Sequence, residues 1–393
     1  MRDTFSGVRI QAAFGILVDD PTSQRRNRTV TFRTLHFAFL LALAAAPAAA
    51  PGRAQKRHDV RVCAGGDVSL GTNLDTSWVF GKSRDGARPV ALPDPWPLIA
   101  PIGPLVSDAD VVLLNVEGAI GAGRVPRKCA RRSTLCYAIR QPIATAQALR
   151  RVSDSARIVG NVANNHAHDA GDAGFRETLR RLGAAGVLAT GADTLATPVA
   201  IGGGDTIGVL GFSPWSVARV QDLAAVRRHV ARATARYGRV IVTMHIGAEG
   251  GGARHTYDRV EHFAGENRGN SVAFARAAVE GGAGLVIGHG PHVLRGIEWN
   301  GRALVAHSLG NLVTYGPFNV AAYNGHGAVL CATLGADGAV RDAVVRSTLQ
   351  REAGRVEADP AHSGAQDIAE LTLEDFPTTG AQLSRTGKIT RRP

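Results

Sequence analysis

The sequence predicts an α/β layered fold, and three features carry that prediction. Apolar runs of strand length recur along the chain, each followed by glycine or polar residues. Stretches with helical periodicity lie between several of them. After Gly290 the pattern changes to short strands with tight-turn sequences. Strands alternating with helices build layers in which the sheet faces are covered. The turn sequences add antiparallel pairs in the second half.

In chain order, the strand-like runs are VRVCAG (60–65), VVLLN (111–115), ARIVGNV (156–162), GVLAT (186–190) and TIGVLGF (206–212). RVIVTMH (239–245), AGLVIGH (283–289) and ALVAHSL (303–309) follow. The clearest helical patterns cover 172–184, 218–237 and 270–281, and Leu179, Leu182 and Ala185 give the first a buried stripe. WNGR (299–302) and GADG (335–338) are turn sequences. From about 351 the chain turns polar and loses periodicity, which predicts a loosely ordered tail over 351–393.

The N-terminus has the pattern of a targeting signal. Arg25, Arg26, Arg28 and Arg33 precede an apolar run from Leu35 to Ala50, which is short for a membrane span and ends in small residues. Residues 1–54 therefore read as an N-terminal extension and export signal, cleaved after Ala50 or Ala54 or kept as an anchor. The long leader also admits a start near Val30. The protein is then expected to be exported, periplasmic or associated with the cell envelope.

The formal net charge is +12, almost all of it from scattered arginine, with lysine only at 56, 82, 128 and 388. No dense basic run interleaves with aromatics, so nucleic acid is not the expected partner. Of the four cysteines, Cys129 and Cys136 share a polar loop where a local disulfide fits, whereas Cys63 and Cys331 read as buried small hydrophobes. There is no CxxC or zinc-knuckle spacing.

Polar clusters fall at the ends of six strands. They present Asp67, then Asn115 and Glu117, then Asn164, Asn165, His166 and Asp169. Further along come His245 and Glu249, His289 and His292, and finally His307, Ser308 and Asn311. Each alone also reads as a turn residue, a helix cap or a satisfied core histidine. In open α/β sheets, however, sites form outside the carboxyl ends of strands. A set of carboxylate, amide and imidazole without thiolate suits one or two divalent metal ions with water in open positions. His168, His255, His262 and His326 are read as non-ligands.

The motifs GDVSLG, NVEGAI, ANNHAHDAG, HIGAE, GHGPHV and SLGN, in this order from about Val60 to Leu349, resemble the CapA family. These are proteins of poly-γ-glutamate capsule synthesis whose domain is similar to calcineurin-like metallophosphoesterases. The resemblance implies a four-layer α/β/β/α sandwich of metallophosphoesterase type with mixed sheets, spanning 55–350. Carried over, it implies metal ligands at Asp67, Glu117, Asn165, His245, His289 and His292, and a catalytic histidine at His166. Asp169 and Glu249 match family positions and join His166 as candidate catalytic residues. Two departures stand out. Ser69 replaces the histidine of the usual Asp-x-His, which weakens one metal site, and no aromatic residue follows His245.

The expected function is therefore a capsule or cell-envelope polymer protein acting as a metal-dependent hydrolase on a phosphoester or a γ-glutamyl amide. Its cofactor would be one or two ions of Mn, Fe or Zn, and its scattered arginines would attract a polyanion. The alternative is a non-catalytic capsule factor that binds an anionic polymer or a membrane-bound synthase.

Overall fold

The computed structural model describes residues 58–71, 94–121, 138–316, 318–351 and 354–392. The expected export signal and the pair Cys129 and Cys136 lie outside them. Two large sheets dominate. The first runs in spatial order Gln382–Leu383, Lys388–Thr390, Val340–Gln350, His326–Leu334, Val60–Ser69, Val111–Val116, Arg157–Asn161 and Leu188–Thr190. Asn311–Thr314 also pairs with Val60–Ser69, and Val356–Ala358 with Val340–Gln350. The second sheet runs Ile297–Asn300, Ala303–Ala306, Leu285–His289, Val240–His245, Thr206–Phe212 and Thr197–Ala200. Both are mixed: the first is antiparallel from Gln382–Leu383 to Val60–Ser69 and parallel from there to Leu188–Thr190, and the second has a parallel centre with an antiparallel strand at each margin.

Strand alternation decides the layers. Val62, Ala64, Leu113 and Val159 of the first sheet share a core with Val209, Ile241, Leu285 and Leu304 of the second. The opposite face of the first sheet, with Cys63, Val112, Leu114 and Ile158, packs on Ile99, Ile102, Leu149 and Leu182 from the helical segments. On the outer face of the second, Val240, Val242, Met244 and Val286 meet Val226 and Val230 of helix Leu223–Tyr237 and Phe274 of helix Ser271–Glu280. The order helix, sheet, sheet, helix is the four-layer α/β/β/α arrangement expected above.

Local chemistry explains the element boundaries. Helix Leu223–Tyr237 starts five residues after the expected 218 because Asp222 caps it, its side chain accepting from Ala225 N. Asn270 caps the next long helix in the same way. The stripe of helix Gly171–Ala184 runs through Gly174, Thr178 and Leu182, with Leu179 only partly buried. Asn300 and Ala303 pair across a two-residue turn, as the sequence WNGR requires.

Two expectations are corrected. The loose tail expected over 351–393 is overturned for its described residues 354–392. Helix Ser363–Asp375 buries Ala365, Ile368 and Leu371, and two short strands extend the first sheet. The apolar residues there are few and separated by polar ones, so their periodicity is faint. Packing supplies what propensity lacks: Ser347 Oγ accepts from Ala365 N, and Thr372 Oγ1 from Ile297 N. The domain thus continues to Arg392. Cys63 and Cys331, for their part, are fully buried as expected but joined in a disulfide. They face each other on antiparallel neighbours 268 residues apart in sequence, a pairing only the sheet reveals.

Candidate metal centre

The site grows from sheet register. In the first sheet Asn311, Asp67, Asn115 and Asn161 stand side by side across four parallel strands. In the second sheet His245 and His289 are direct partners on parallel neighbours. Asp67, Asn115, Asn161, His245 and His289 lie toward the carboxyl ends of their strands, and Asn311 opens its own. Asn115 Nδ2, 3.2 Å from His245 Nδ1, links one row to the other.

Two glycines make the close approach possible. A Cβ on Gly66 would stand 2.1 Å from Gly310 O, so the chain before Asp67 can pass the SLGN turn only as glycine. Gly290 takes φ +107 and donates its N–H to Asp67 Oδ2 at 3.3 Å. Two residues on, His292 adopts φ 60, a left-handed backbone uncommon outside glycine, and its Nδ1 sits 2.8 Å from Asn311 Oδ1.

Hydrogen bonds divide the site in two. Around Asp67 they are dense. Asn115 Nδ2 donates to its Oδ1 at 2.7 Å, and His292 Nδ1 is 3.2 Å from its Oδ2. Asn161 Nδ2 in turn donates to Asn115 Oδ1 at 2.8 Å, and Asn164 Nδ2 to Val116 O at 2.9 Å. Around Glu117 they are missing. Glu117 is fully buried, yet neither carboxylate oxygen has a hydrogen-bond partner among the described residues. Three imidazoles surround its Oε1 at longer range: His245 Nε2 and His292 Nε2 at 3.7 Å and His166 Nε2 at 4.0 Å. His245 Nε2, both ring nitrogens of His289 and Asn165 Oδ1 are likewise buried without a hydrogen-bond partner among the described residues.

Orphaned acceptors of this kind are costly in a dry interior. Donors that converge without bonding one another are what a cation requires. Ligand-type atoms of Asp67, Glu117 and His292 all lie within 4.8 Å of one another. The residues present therefore fit a metal ion.

Electrostatics point the same way. Burial pushes Glu117 up to about 8, and the His292 charge only partly offsets it. Burial lowers His289 to about 4 and His245 well below the usual imidazole range, leaving both neutral and able to ligate. Burial would raise Asp67 too, but the His292 hydrogen bond and the neighbouring imidazoles hold it well below the ordinary carboxylate range. Burial would lower His292, and Glu117, Asp67 and Glu249 raise it well above instead.

The remaining expected residues separate by role. His166 Nδ1 is 2.6 Å from Asp169 Oδ2, which also accepts from Ile139 N at 2.7 Å, so Asp169 orients the imidazole. Glu249 Oε2 is 3.9 Å from His292 Nε2, while its Oε1 accepts from Arg268 Nη1 at 2.6 Å. Ser69, in place of the histidine, donates to Glu117 O at 3.0 Å and so steadies that loop. His168 is exposed and stacks on Phe175, and His255 and His326 pair with Asp375 and Asp367. His307 bonds Glu298 at 2.8 Å and stacks on Phe376, apart from the set.

The sequence reading passed over the amide relay from Asn161 to Asn115, the Asn311 contact, and the pair Trp215 and Arg268. Asn115 and Asn311 were visible at strand ends. Arg268 lies in a hairpin with no strand-end signal. The disulfide consumes the other group of possible ligands among the described residues, Cys63, Cys331 and Asp108.

A search of curated proteins found no match. Among solved structures the chain is similar to a 5′-nucleotidase precursor from Thermus thermophilus, with TM-score 0.40 and 13% identity over 80% of this chain and 59% of that one. It is also similar to the NAD nucleotidase of Haemophilus influenzae, with TM-score 0.36 and 12% identity over 80% and 56%. A third is the protein TT1561 of Thermus thermophilus, with TM-score 0.34 and 12% identity over 70% and 98%. The chain spans less than two thirds of the length of the first two. Residues 61–315 match the family described as bacterial capsule synthesis protein PGA_cap. With well over half its length matched, including the strands that carry Asp67, Glu117, His166, His245, His289 and His292, the chain belongs to the bacterial capsule synthesis protein family.

Proposed function

We propose that this member of the capsule synthesis family is an exported, metal-dependent hydrolase acting on a phosphoester or a γ-glutamyl amide of the cell envelope. The observation that carries the reading is Glu117, buried, unpartnered and ringed by three imidazoles. Glu117, His245, His289, His292, Asp67 and Asn165 would hold one or two divalent ions, of Mn, Fe or Zn. Such an ion would supply Lewis acidity and a more acidic water. His166, fixed by Asp169 through Nδ1, offers Nε2 to the leaving group and passes it a proton. Burial keeps bulk water away from these groups and strengthens each interaction.

Export rests on the Arg-led apolar run of residues 25–50. The buried disulfide supports it, because such bonds persist in oxidising compartments. The substrate side would be an anionic envelope polymer or phosphoester, drawn by a net charge that is +12 for the whole sequence and stays positive without residues 1–54, with a membrane-bound synthase as a further partner and no nucleic acid.

The test uses purified protein loaded with Mn²⁺ and offered generic phosphoesters and poly-γ-glutamate. Cleavage of one of them, with near-stoichiometric metal, is expected. No cleavage of either, together with unchanged metal content in Asp67→Ala/His289→Ala, overturns the reading. Capsule formation in cells carrying only that double variant would instead favour a non-catalytic binding factor.

A further inference from the structure

We propose that Arg268 binds an oxyanion of the substrate, a carboxylate or a phosphate, beside the metal centre, and that Glu249 occupies this position until substrate arrives. The inference rests on the reading of the centre as a metal site and names the group that recognises what is delivered to it.

Arg268 is held unusually firmly for an arginine outside the ligand set. Its side chain is only 4% exposed. The guanidinium lies over the Trp215 ring at 4.6 Å and over the Phe263 ring at 5.3 Å. Stacking fixes the plane while leaving the N–H edge free to form a two-pronged bond to an oxyanion. Its backbone is tied to the metal loop as well, since Gly247 N donates to Arg268 O at 3.0 Å, two residues after His245. The cation is therefore positioned in advance of any ligand.

Its present bonding is incomplete. Nη1 donates to Glu249 Oε1 at 2.6 Å. Nε lies 3.2 Å from Glu266 Oε2 but makes no hydrogen bond with any described residue. A buried guanidinium that leaves a donor unused has capacity for another oxygen. The second oxygen of Glu249 reaches toward His292 Nε2 at 3.9 Å, and His292 Nε2 is 3.7 Å from Glu117 Oε1. Arg268 thus stands one carboxylate away from the ligand cluster. An incoming oxyanion that displaced Glu249 would take over the Nη1 bond, and the pairing of the buried charge would be preserved through the exchange.

The experiment is calorimetric titration of inorganic phosphate and of glutarate, each with and without Mn²⁺. It compares the wild type with Arg268→Gln, Arg268→Lys and Glu249→Gln, with metal content measured on every sample. Arg268→Gln should weaken anion binding about tenfold or more, the scale of a lost charge-assisted bond. Arg268→Lys should fall between, because it keeps the charge and loses the fork. Glu249→Gln should tighten binding several-fold by vacating the guanidinium, and none of the three should change metal stoichiometry. The anion bound more tightly identifies the source chemistry. Equal binding by wild type and both Arg268 variants, or no binding of either anion to the wild type, overturns the proposal. So does a loss in Glu249→Gln as large as that in Arg268→Gln, since Arg268 would then serve only to position Glu249. A wild type that takes up no metal overturns the metal reading instead, and the metal-free titrations still decide the role of Arg268.

Discussion

Two buried glutamates, each beside histidine, occupy opposite situations in this molecule. Glu298 sits 2.8 Å from His307 and also accepts from Thr379 Oγ1, and His307 stacks on Phe376. Burial would raise Glu298, but the His307 hydrogen bond and charge, the Thr379 hydrogen bond and the Arg276 charge together outweigh it and lower the carboxyl below its usual range. Glu117 has three imidazoles at 3.7–4.0 Å, bonds none of them, and is raised to about 8. The first pair is closed and structural. The second is spaced for something to enter. The lesson is that distance and satisfaction, not residue type, separate an internal ion pair from a ligand set.

The largest effect that tests this contrast is on metal. Glu117→Gln should lower affinity for Mn²⁺ about 100-fold or more, since even outer residues of metal sites can cost that much. Its metal-free stability at pH 6 should change by less than about 1 kcal/mol, because a neutral amide replaces a neutral acid of the same shape. Metal titration and urea unfolding of the same samples check both. Unchanged metal affinity would collapse the distinction between the two glutamates.

Glu298→Ala should do the reverse. Leaving His307 buried without its partner costs about 1–3 kcal/mol in urea unfolding, with metal content intact.

The pH dependence should differ in sign. Glu117 is raised from an ordinary 4.5 to about 8, so in metal-free protein its stabilising proton is fully effective below about 4.5. That contribution is lost as pH rises toward 8. Glu298 is lowered, so its contribution is present above 4.5 and lost as pH falls through its folded value. Unfolding curves from about pH 2 to 8, wild type minus each variant, read the two slopes. Metal uptake must also release the Glu117 proton and should strengthen with pH up to about 8. The smallest effect belongs to exposed His168, four residues before Asp172 in the same motif as His166. His168→Ala should shift stability by no more than about 0.5 kcal/mol and leave metal binding alone.

Much of the fold was legible because many of its strands are apolar runs whose ends carry polar clusters, with helical periodicity between several of them. The six strand-end clusters pointed to the centre for the same reason: residues at the carboxyl ends of parallel strands share one edge. Less legible were features whose partners are distant. Helix Ser363–Asp375 has a faint stripe and becomes stable only against the sheets. Arg268 carries no motif, and its meaning comes from Trp215, Phe263 and Glu249.

The sequence by itself determined the apolar strands that carry the centre, and that Asp67, Glu117, His166, His245, His289 and His292 stand at or just beyond their ends. Local periodicity and turn chemistry suffice for that. Only the tertiary structure decided which of these polar groups are satisfied. It joined Cys63 to Cys331, gave His307 to Glu298, enclosed Asp67 in donors and left Glu117 without one. Satisfaction is a property of distances between residues far apart in the chain, and those distances are set by sheet register and layer packing.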